Sequence, residues 1–281
     1  MSGHRDFTYV NTKGQICDKH EALLGSGGFS STYRQKNTID QRIYAVKFTH
    51  STTTSEAVIL ARIEHPNITR YFQSFTNENN IGLCLVMELY GNGVTITDWL
   101  GNKAWYIHKR LMRQLVKAVA YLHESCILHR DIKSNNCLVN PRTGQLKLTD
   151  FGHAIDLRKP GASYQPMENT TGRSHYVYRA PEVLRGKPYS YPSDLFQIGC
   201  IFIELGTELT LDEIVGNSSY TGWTNTFSDW SRTEEYPEAI EDIREKLNVS
   251  PHVDLFIQLT SHEIEKRCNA METLKQKYKN A

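Results

Sequence analysis

At 281 residues the chain fits one large domain or two close-packed lobes, because a single hydrophobic core stops growing at about 250–300 residues. Hydrophobic residues at 39% beside charged residues at 22% supply a real core and exclude wholesale disorder. Thirty-two Lys and Arg against 31 Asp and Glu leave a formal charge of +1, so no global field gathers nucleic acid or an anionic membrane, and any phosphate binding has to be local.

The six cysteines, Cys17, Cys84, Cys126, Cys137, Cys200 and Cys268, are scattered, with no C-x-x-C pair. They read as reduced, mostly buried thiols of an intracellular protein, expected in the cytoplasm with the nucleus left open. The stretch Met1 to Thr12 is polar, and the longest apolar runs, Ile81 to Met87 and Gly199 to Ile203, fall short of the roughly 18 residues that span a bilayer. Neither secretion nor membrane insertion is expected.

Strand patterns come first along the chain. β-Branched and aromatic residues around Leu23 to Tyr33 and Arg42 to Phe48 flank a glycine cluster and a polar turn at Asn37 to Gln41, which predicts a hairpin-like arrangement. A helix is predicted from Thr54 to Glu64, where Ile59, Leu60 and Ile63 recur at helical spacing until His65-Pro66-Asn67 stops the pattern. Strands are predicted over Ile68 to Phe75 and Ile81 to Leu89. Gly91-Asn92-Gly93 then reads as a flexible hinge and a lobe boundary.

Beyond Gly93 the pattern turns helical. Leu111, Leu115, Ala118, Val119 and Leu122 form an apolar stripe between Tyr106 and Glu124. A second apolar helix is predicted over Ser193 to Leu205, and a last one over Ser261 to Tyr278 after the segment Leu255 to Leu259. A small β-rich lobe followed by a larger helical one puts the default ligand site in the cleft between them.

Gly25-Ser26-Gly27-Gly28-Phe29-Ser30 lies between two strand-like runs, where glycines let the backbone approach phosphate oxygens; a flexible hairpin tip is the plain alternative. Lys47 ends the apolar strand Tyr44-Ala45-Val46-Lys47. Buried, it needs an anionic partner; on an edge, it would simply face water. Glu56 falls on the inward stripe of the next helix and is placed to meet Lys47. Thr53-x-x-Glu56 is equally a capping box, in which the glutamate reaches back to the helix start.

The string His129-Arg130-Asp131-Ile132-Lys133-Ser134-Asn135-Asn136, followed by Asp150-Phe151-Gly152 and Ala180-Pro181-Glu182, resembles the eukaryotic protein kinase superfamily. The resemblance covers residues 20 to 275 with every major motif in order. It implies an α+β, two-lobed fold, with a β-rich N-lobe over about 20–90 and a helical C-lobe over about 91–275.

It also implies roles. Asp131 looks like the carboxylate that accepts the substrate hydroxyl proton, and Lys133 like the cation that steadies the transferring phosphoryl group. Asn136 and Asp150 resemble the magnesium ligands. Lys47 is similar to the lysine that grips the α- and β-phosphates of ATP, positioned by Glu56. Leu24, Gly25, Gly27, Gly28, Thr32 and Ala45 would complete the nucleotide pocket. Met87 would guard its depth, and the backbones of Glu88 and Tyr90 would meet the adenine edge. Asp194 matches an aspartate that braces the catalytic loop, its plain alternative being a helix N-terminal carboxylate. Arg267 matches an arginine that pairs with Glu182, its alternative being a solvated surface side chain.

The resemblance further implies Ser/Thr as the acceptor, since Lys133 matches the lysine of serine/threonine kinases, and, through Arg130 before Asp131, an activation loop ordered by phosphorylation. Thr170 and Thr171 are the first candidates, then Ser163, Tyr164 and Ser174. The chain departs from the family pattern in four places. Ser30 replaces the third glycine. Lys47 and Glu56 are only nine residues apart, so the regulatory helix is expected to lack its first turns. His175, beside Ser174, stands where Ser/Thr kinases carry a threonine. Asn135 replaces a glutamate common in kinases that prefer basic substrates. The expected function is an ATP- and Mg2+-dependent serine/threonine protein kinase acting on a protein substrate, with neither nucleic acid nor membrane as partner and the oligomeric state open. A nucleotide-binding pseudokinase scaffold is the alternative, and a small-molecule kinase a third.

Overall fold

β-Branched and aromatic residues crowd the first ninety positions, and there alternation builds an antiparallel sheet. The computed structural model describes residues 6–28, 30–50, 54–76, 82–101, 105–159, 178–211, 213 and 253–279. Six strands, β1 (Phe7–Tyr9), β2 (Leu23–Ser26), β3 (Ser30–Asn37), β4 (Ile43–Thr49), β5 (Tyr71–Thr76) and β6 (Leu83–Glu88), run in the order β1-β3-β4-β6-β5, with β2 also on β3. The β3–β4 turn is where the sequence places it: Asn37 Oδ1 accepts the N–H groups of Ile39 and Asp40, and Gln41 adopts φ +62°.

The strand β1 is not foreseen by the pattern, because three alternating residues in a polar stretch are too few to show a period. It exists because β3 outreaches β2. β2 pairs with Ser31, Thr32 and Tyr33, and β1 takes the rest of that edge at Gln35, Lys36 and Asn37. At the splice, Arg34 donates its N–H to Ala22 O at 2.8 Å and accepts that of Val10 at 3.2 Å. Phe7 then stacks on Phe75 with centroids 5.8 Å apart and covers the outer sheet face over Val46, Cys84 and Val86.

Three boundaries differ from expectation. Helix α1 spans only Ser55–Leu60, since Arg62 N–H bonds Ile59 O one residue short of the helical partner and Ile63 packs on the core from beyond the turn. β5 begins three residues late because Ile68 to Arg70 leave the sheet: Leu148 N–H bonds Asn67 O at 2.8 Å and Thr69 N–H bonds Leu148 O at 3.0 Å, stitching the sheet to the helical part. Gly91 to Gly93 form a locked turn rather than a free hinge. Gly91 adopts φ +56° and a Cβ there would lie 2.2 Å from Val139 O, so glycine is needed for close backbone approach.

The remaining elements are α2 (Ile96–Trp99), α3 (Trp105–Glu124), β7 (Ile127–Leu128), β8 (Cys137–Asn140), β9 (Gln145–Leu148), β10 (Ile155–Asp156), α4 (Pro181–Leu184), α5 (Tyr191–Thr207), α6 (Val253–Leu259) and α7 (Ile264–Lys279). α5 is buried from Ser193 through Leu205, as befits a helix apolar all round, and α3, α6 and α7 surround it. Gly199 lets α6 come so close that a Cβ would stand 2.8 Å from Leu259 Cβ. One contiguous core joins Ile59, Leu60, Ile68 and Met87 of the sheet side to the helices, so both parts are packed as one body. Among the described residues no helix is long and apolar enough to cross a membrane.

The Gly91 geometry is testable. Gly91→Ala is expected to lower stability by at least about 2 kcal/mol, through the positive φ and the clash with Val139. Gly25→Ala, whose Cβ meets nothing within 4 Å, should stay within about 0.5 kcal/mol of the parent. Urea denaturation midpoints check both.

Candidate active site

The segment between β7 and β8 adopts a conformation its own residues do not favour: Arg130 sits at φ +67°, in the left-handed region that costs a non-glycine residue about 1–2 kcal/mol. Asp194, fully buried in the first turn of α5, holds it there. Its carboxylate accepts the N–H of His129 at 3.0 Å, the N–H of Arg130 at 2.9 Å, and His123 Nε2 at 3.0 Å. Burial alone would raise the Asp194 pKa, but His123 and the backbone donors outweigh it and hold it below the ordinary value. One turn later, Gln197 accepts the N–H of Ile132 at 2.9 Å and donates to Arg130 O.

His129 is the loop's buried pivot. Its Nδ1 accepts the N–H of Asp131, so its Nε2 carries the proton donated to Thr149 O at 3.1 Å. Burial pushes the imidazole pKa down and keeps it neutral. Phe151 packs edge-on against the ring at 4.7 Å. Asp131 is buried, its Oδ2 receiving Asn136 Nδ2 at 2.9 Å and lying 3.0 Å from Lys133 Nζ. Asn136 Nδ2 also donates to Asp131 O at 2.8 Å. Two acceptors on one amide atom identify it as nitrogen, so Oδ1 is the opposite, electron-rich end.

From the sheet side, Lys47 projects from β4, opposite Thr32 of β3 and Leu85 of β6. Its Nζ lies 2.8 and 3.0 Å from the two Glu56 oxygens and 2.7 Å from Asp150 Oδ1. The edge-lysine reading is thereby corrected, and Glu56 pairs with Lys47 instead of capping: Thr54 is the N-cap and makes no side-chain cap bond, while Thr53 lies outside the described residues. Burial would lower the Lys47 pKa, but Asp150 and Glu56 hold it above its ordinary value. Burial likewise opposes Asp150, which Lys47 holds well below the usual carboxylate range, whereas burial and the like charge of Asp150 push Glu56 up. Asp150 itself adopts φ +62°. Gly152 packs close beside it: a Cβ there would stand 3.2 Å from Asp150 Oδ1 and 3.4 Å from Lys47 Nζ. Glu56 is the second residue of α1, so the helix does begin at the pairing residue's own turn, as the short spacing implied.

The other predicted positions of the nucleotide pocket belong to the sheet and the loops at its ends. Leu24 and Gly25 lie on β2, and the Gly27 N–H closes the tip by bonding Ser30 O at 2.8 Å. A Cβ on Gly25, Gly27 or Gly28 would meet nothing within 4 Å, so this loop stands clear of its neighbours. Ala45 pairs across the sheet with Met87, both buried. Glu88 N–H bonds Arg70 O, and Tyr90 O receives Gly93 N–H. Arg130 Nε donates to His153 O at 2.6 Å. Thr170 and Thr171, with Ser163, Tyr164, Ser174 and His175, lie outside the described residues. Arg267 is fully buried and grips Glu182 through two bonds of 2.9 and 2.7 Å, which corrects the surface alternative.

Several residues were missed in the sequence. Gln197 and Glu204 brace the loop along with Asp194: Glu204 receives Tyr178 OH at 2.6 Å, Leu211 N–H at 2.8 Å and the Ser134 hydroxyl. Their signal was polar side chains in an otherwise apolar helix, which must find buried partners. Asp156 is the other. It accepts Arg62 NH1 at 2.6 Å and Arg158 Nε at 2.8 Å, tying the end of α1 to β10.

Asp156 also makes a pH prediction. Arg158 bonds, partly opposed by burial and aided by Arg62, bring its pKa from 3.8 to about 2. A depressed folded pKa contributes stability that is present above the unfolded value and lost as pH falls through the folded one. The stability gap between the parent and Asp156→Asn should therefore be constant above about pH 5 and close between about pH 4 and pH 2. Urea titrations at fixed ionic strength measure it; a pH-independent gap would remove the ion pair from the account.

The family model described as "Protein kinase domain" matches residues 19–279. Similar proteins include mitogen-activated protein kinase kinase kinase 19 of Mus musculus, 30% identical over 210 residues, covering 70% of this chain and 15% of that protein. GLH-binding kinase 1 of Caenorhabditis elegans is 34% identical over 184 residues, 62% of this chain and 44% of its own length. Serine/threonine-protein kinase Nek5 of Mus musculus is 29% identical over 201 residues, 66% and 30%. The chain thus spans less than half the length of these relatives. With the catalytic loop, the Lys47 cluster and the Glu182–Arg267 pair assembled in one body, and with a family match over nearly its whole length, the chain belongs to the protein kinase domain family.

Proposed function

We propose that this protein is a serine/threonine protein kinase that transfers the γ-phosphoryl group of ATP, with Mg2+, to Ser or Thr hydroxyls of a protein substrate. The observation that carries the reading is the ion cluster of Lys47, Glu56 and Asp150 at 2.7–3.0 Å. It is linked through Lys133, whose charge acts on Asp150, to a buried Asp131 already oriented by Asn136 and Lys133. An inert scaffold has no need to hold these six ionisable or amide groups in this register, and burying them unpaired would be costly.

Asp131 is the acceptor for the hydroxyl proton, its Oδ2 fixed by two donors so that the carboxylate cannot swing away from an incoming hydroxyl. Lys133 places positive charge next to it, where the phosphoryl group moves, and its presence favours Ser/Thr as acceptor. The Asp150 carboxylate and the Asn136 Oδ1 are hard oxygen donors that fit Mg2+, which in nucleotide sites takes one or two side chains and completes its shell with phosphate oxygens and water. Bound there, the metal would neutralise phosphate charge during transfer. Lys47, kept cationic by its two carboxylates, is the grip for the α- and β-phosphates.

The clear space around Gly25, Gly27 and Gly28 supports a phosphate-covering loop. Leu24, Thr32, Ala45 and Met87 form the apolar walls for the base. The Glu88 N–H and the Tyr90 carbonyl are engaged internally, so adenine recognition falls to the other backbone group of each residue. Arg130 is the receiver for a phosphate on Thr170 or Thr171 in this reading.

Intact-mass spectrometry of the protein with Mg2+, ATP and a mixed peptide pool tests the proposal. Phosphate gain on Ser or Thr is expected, and Asp131→Asn should slow it by about 10²–10⁴-fold, the usual contribution of a general base. Nucleotide binding without any phosphate gain on protein or peptides would replace the kinase reading with the scaffold one.

A further inference from the structure

On the outer side of α3, away from the cleft, Arg110, Arg113 and Lys117 stand at i, i+3 and i+7, which puts three cationic heads on one face. Together with Pro66, Asn67 and Gln145 they line a groove of about 270 Å³. Arg110 and Lys117 are exposed and Arg113 is half-buried. Among the described residues no salt bridge joins any of the three to a carboxylate. Like charges at this spacing destabilise a helix by a few tenths of a kcal/mol per pair.

The groove is built rather than incidental. Gln114, between the cations, fills all four of its hydrogen-bonding positions: Oε1 accepts from Asn67 Nδ2 and from Leu146 N–H, both at 2.9 Å, and Nε2 donates to Gly144 O at 3.0 Å and Arg110 O at 3.1 Å. That amide locks α3 to β9 and to the segment after α1, so the groove is rigid before anything enters it. Among the described residues its lining holds no carboxylate, and the exposed Glu64, whose N–H bonds Tyr121 OH one turn beyond Lys117, is not part of that lining. Beside it, His65 is held below its ordinary pKa first by burial and then by Lys117 and Lys147. The nearby Glu88 carboxylate is engaged by Lys147 at 2.6 Å and by Arg70 N–H at 2.7 Å, so it does not neutralise the groove.

We infer that this groove docks an anionic peptide segment of a protein partner, at a site separate from Asp131. Charge complementarity selects an acidic occupant, and the net charge of +1 for the whole chain makes this patch a local feature. The three cations cover about 10 Å of helix at 1.5 Å per residue. That length suits a few peptide side chains better than the 6–10 phosphate contacts of a typical duplex binder. The inference goes beyond the proposed phosphotransfer and does not rest on it, because docking is read as binding.

The test is fluorescence anisotropy with the full chain and four labelled probes: a Glu-rich peptide, the same peptide with phosphoserine in place of Glu, its Gln counterpart, and a single-stranded oligonucleotide of equal charge. The Glu or phosphoserine peptide should bind, more weakly as salt rises, and the better of the two identifies the anionic group preferred. Binding should fall at least about tenfold in the triple variant Arg110→Ala, Arg113→Ala, Lys117→Ala, with its melting temperature preserved because the three side chains make no salt bridge among the described residues. Equal binding of the Gln peptide, or full retention in the triple variant, would overturn the inference. Tighter binding of the oligonucleotide than of either anionic peptide would overturn it in favour of nucleic acid. Loss of phosphate transfer in the assay of the preceding section would leave this outcome untouched.

Discussion

A carboxylate with no exposure to water organises the catalytic side of this molecule. Asp194 cannot remain ionised inside a helical core without donors, and the donors it collects are the consecutive N–H groups of His129 and Arg130 together with His123. Consecutive amides point at one acceptor only when the backbone turns sharply, which is why Arg130 takes a positive φ. The loop's shape therefore follows from the buried charge below it. Asp131, Lys133 and Asn136 take their places as a consequence, the last two each within hydrogen-bonding reach of Asp131.

The second constraint is the Lys47 cluster, which ties the sheet to the loop after β9. One cation meets two carboxylates from distant parts of the chain, Glu56 from α1 and Asp150 from beyond β9. Since α1 has only six residues, little helical packing keeps Glu56 in register. The fold compensates at the other end of that segment, where Arg62 reaches Asp156 on β10, and by burying Ile59 and Leu60 in the common core. The helix that carries Glu56 is thus short, and a charged tether holds the chain beyond it.

Much of this was legible in the residues. Alternation marked the strands, the apolar stripe from Leu111 to Leu122 marked α3, and the motif around Asp131 identified the loop. What stayed hidden has physical causes. β1 is too short to carry a period and is stabilised only by the edge β3 leaves open. Glu56 carried two readings, a cap and an ion-pair partner, that differ only in which nitrogen lies near it. Gly91 looked like a free hinge because glycine signals conformational latitude, whereas its use here is to admit Val139 O at a distance no side chain tolerates.

By itself, then, the sequence determined the order of sheet and helices, the family, and the residue types brought to the cleft, because periodicity and motif spacing are local properties of the chain. Tertiary structure alone decided which charges meet. The buried pairs join residues 103 and 85 positions apart in the cases of Lys47–Asp150 and Glu182–Arg267. No local rule reports whether a given Lys, Glu or Gln faces water or a partner. Gln197, Glu204, Asp156 and the groove floored by Gln114 are of that kind: their roles come from desolvation, which depends on what packs over them once the chain has closed.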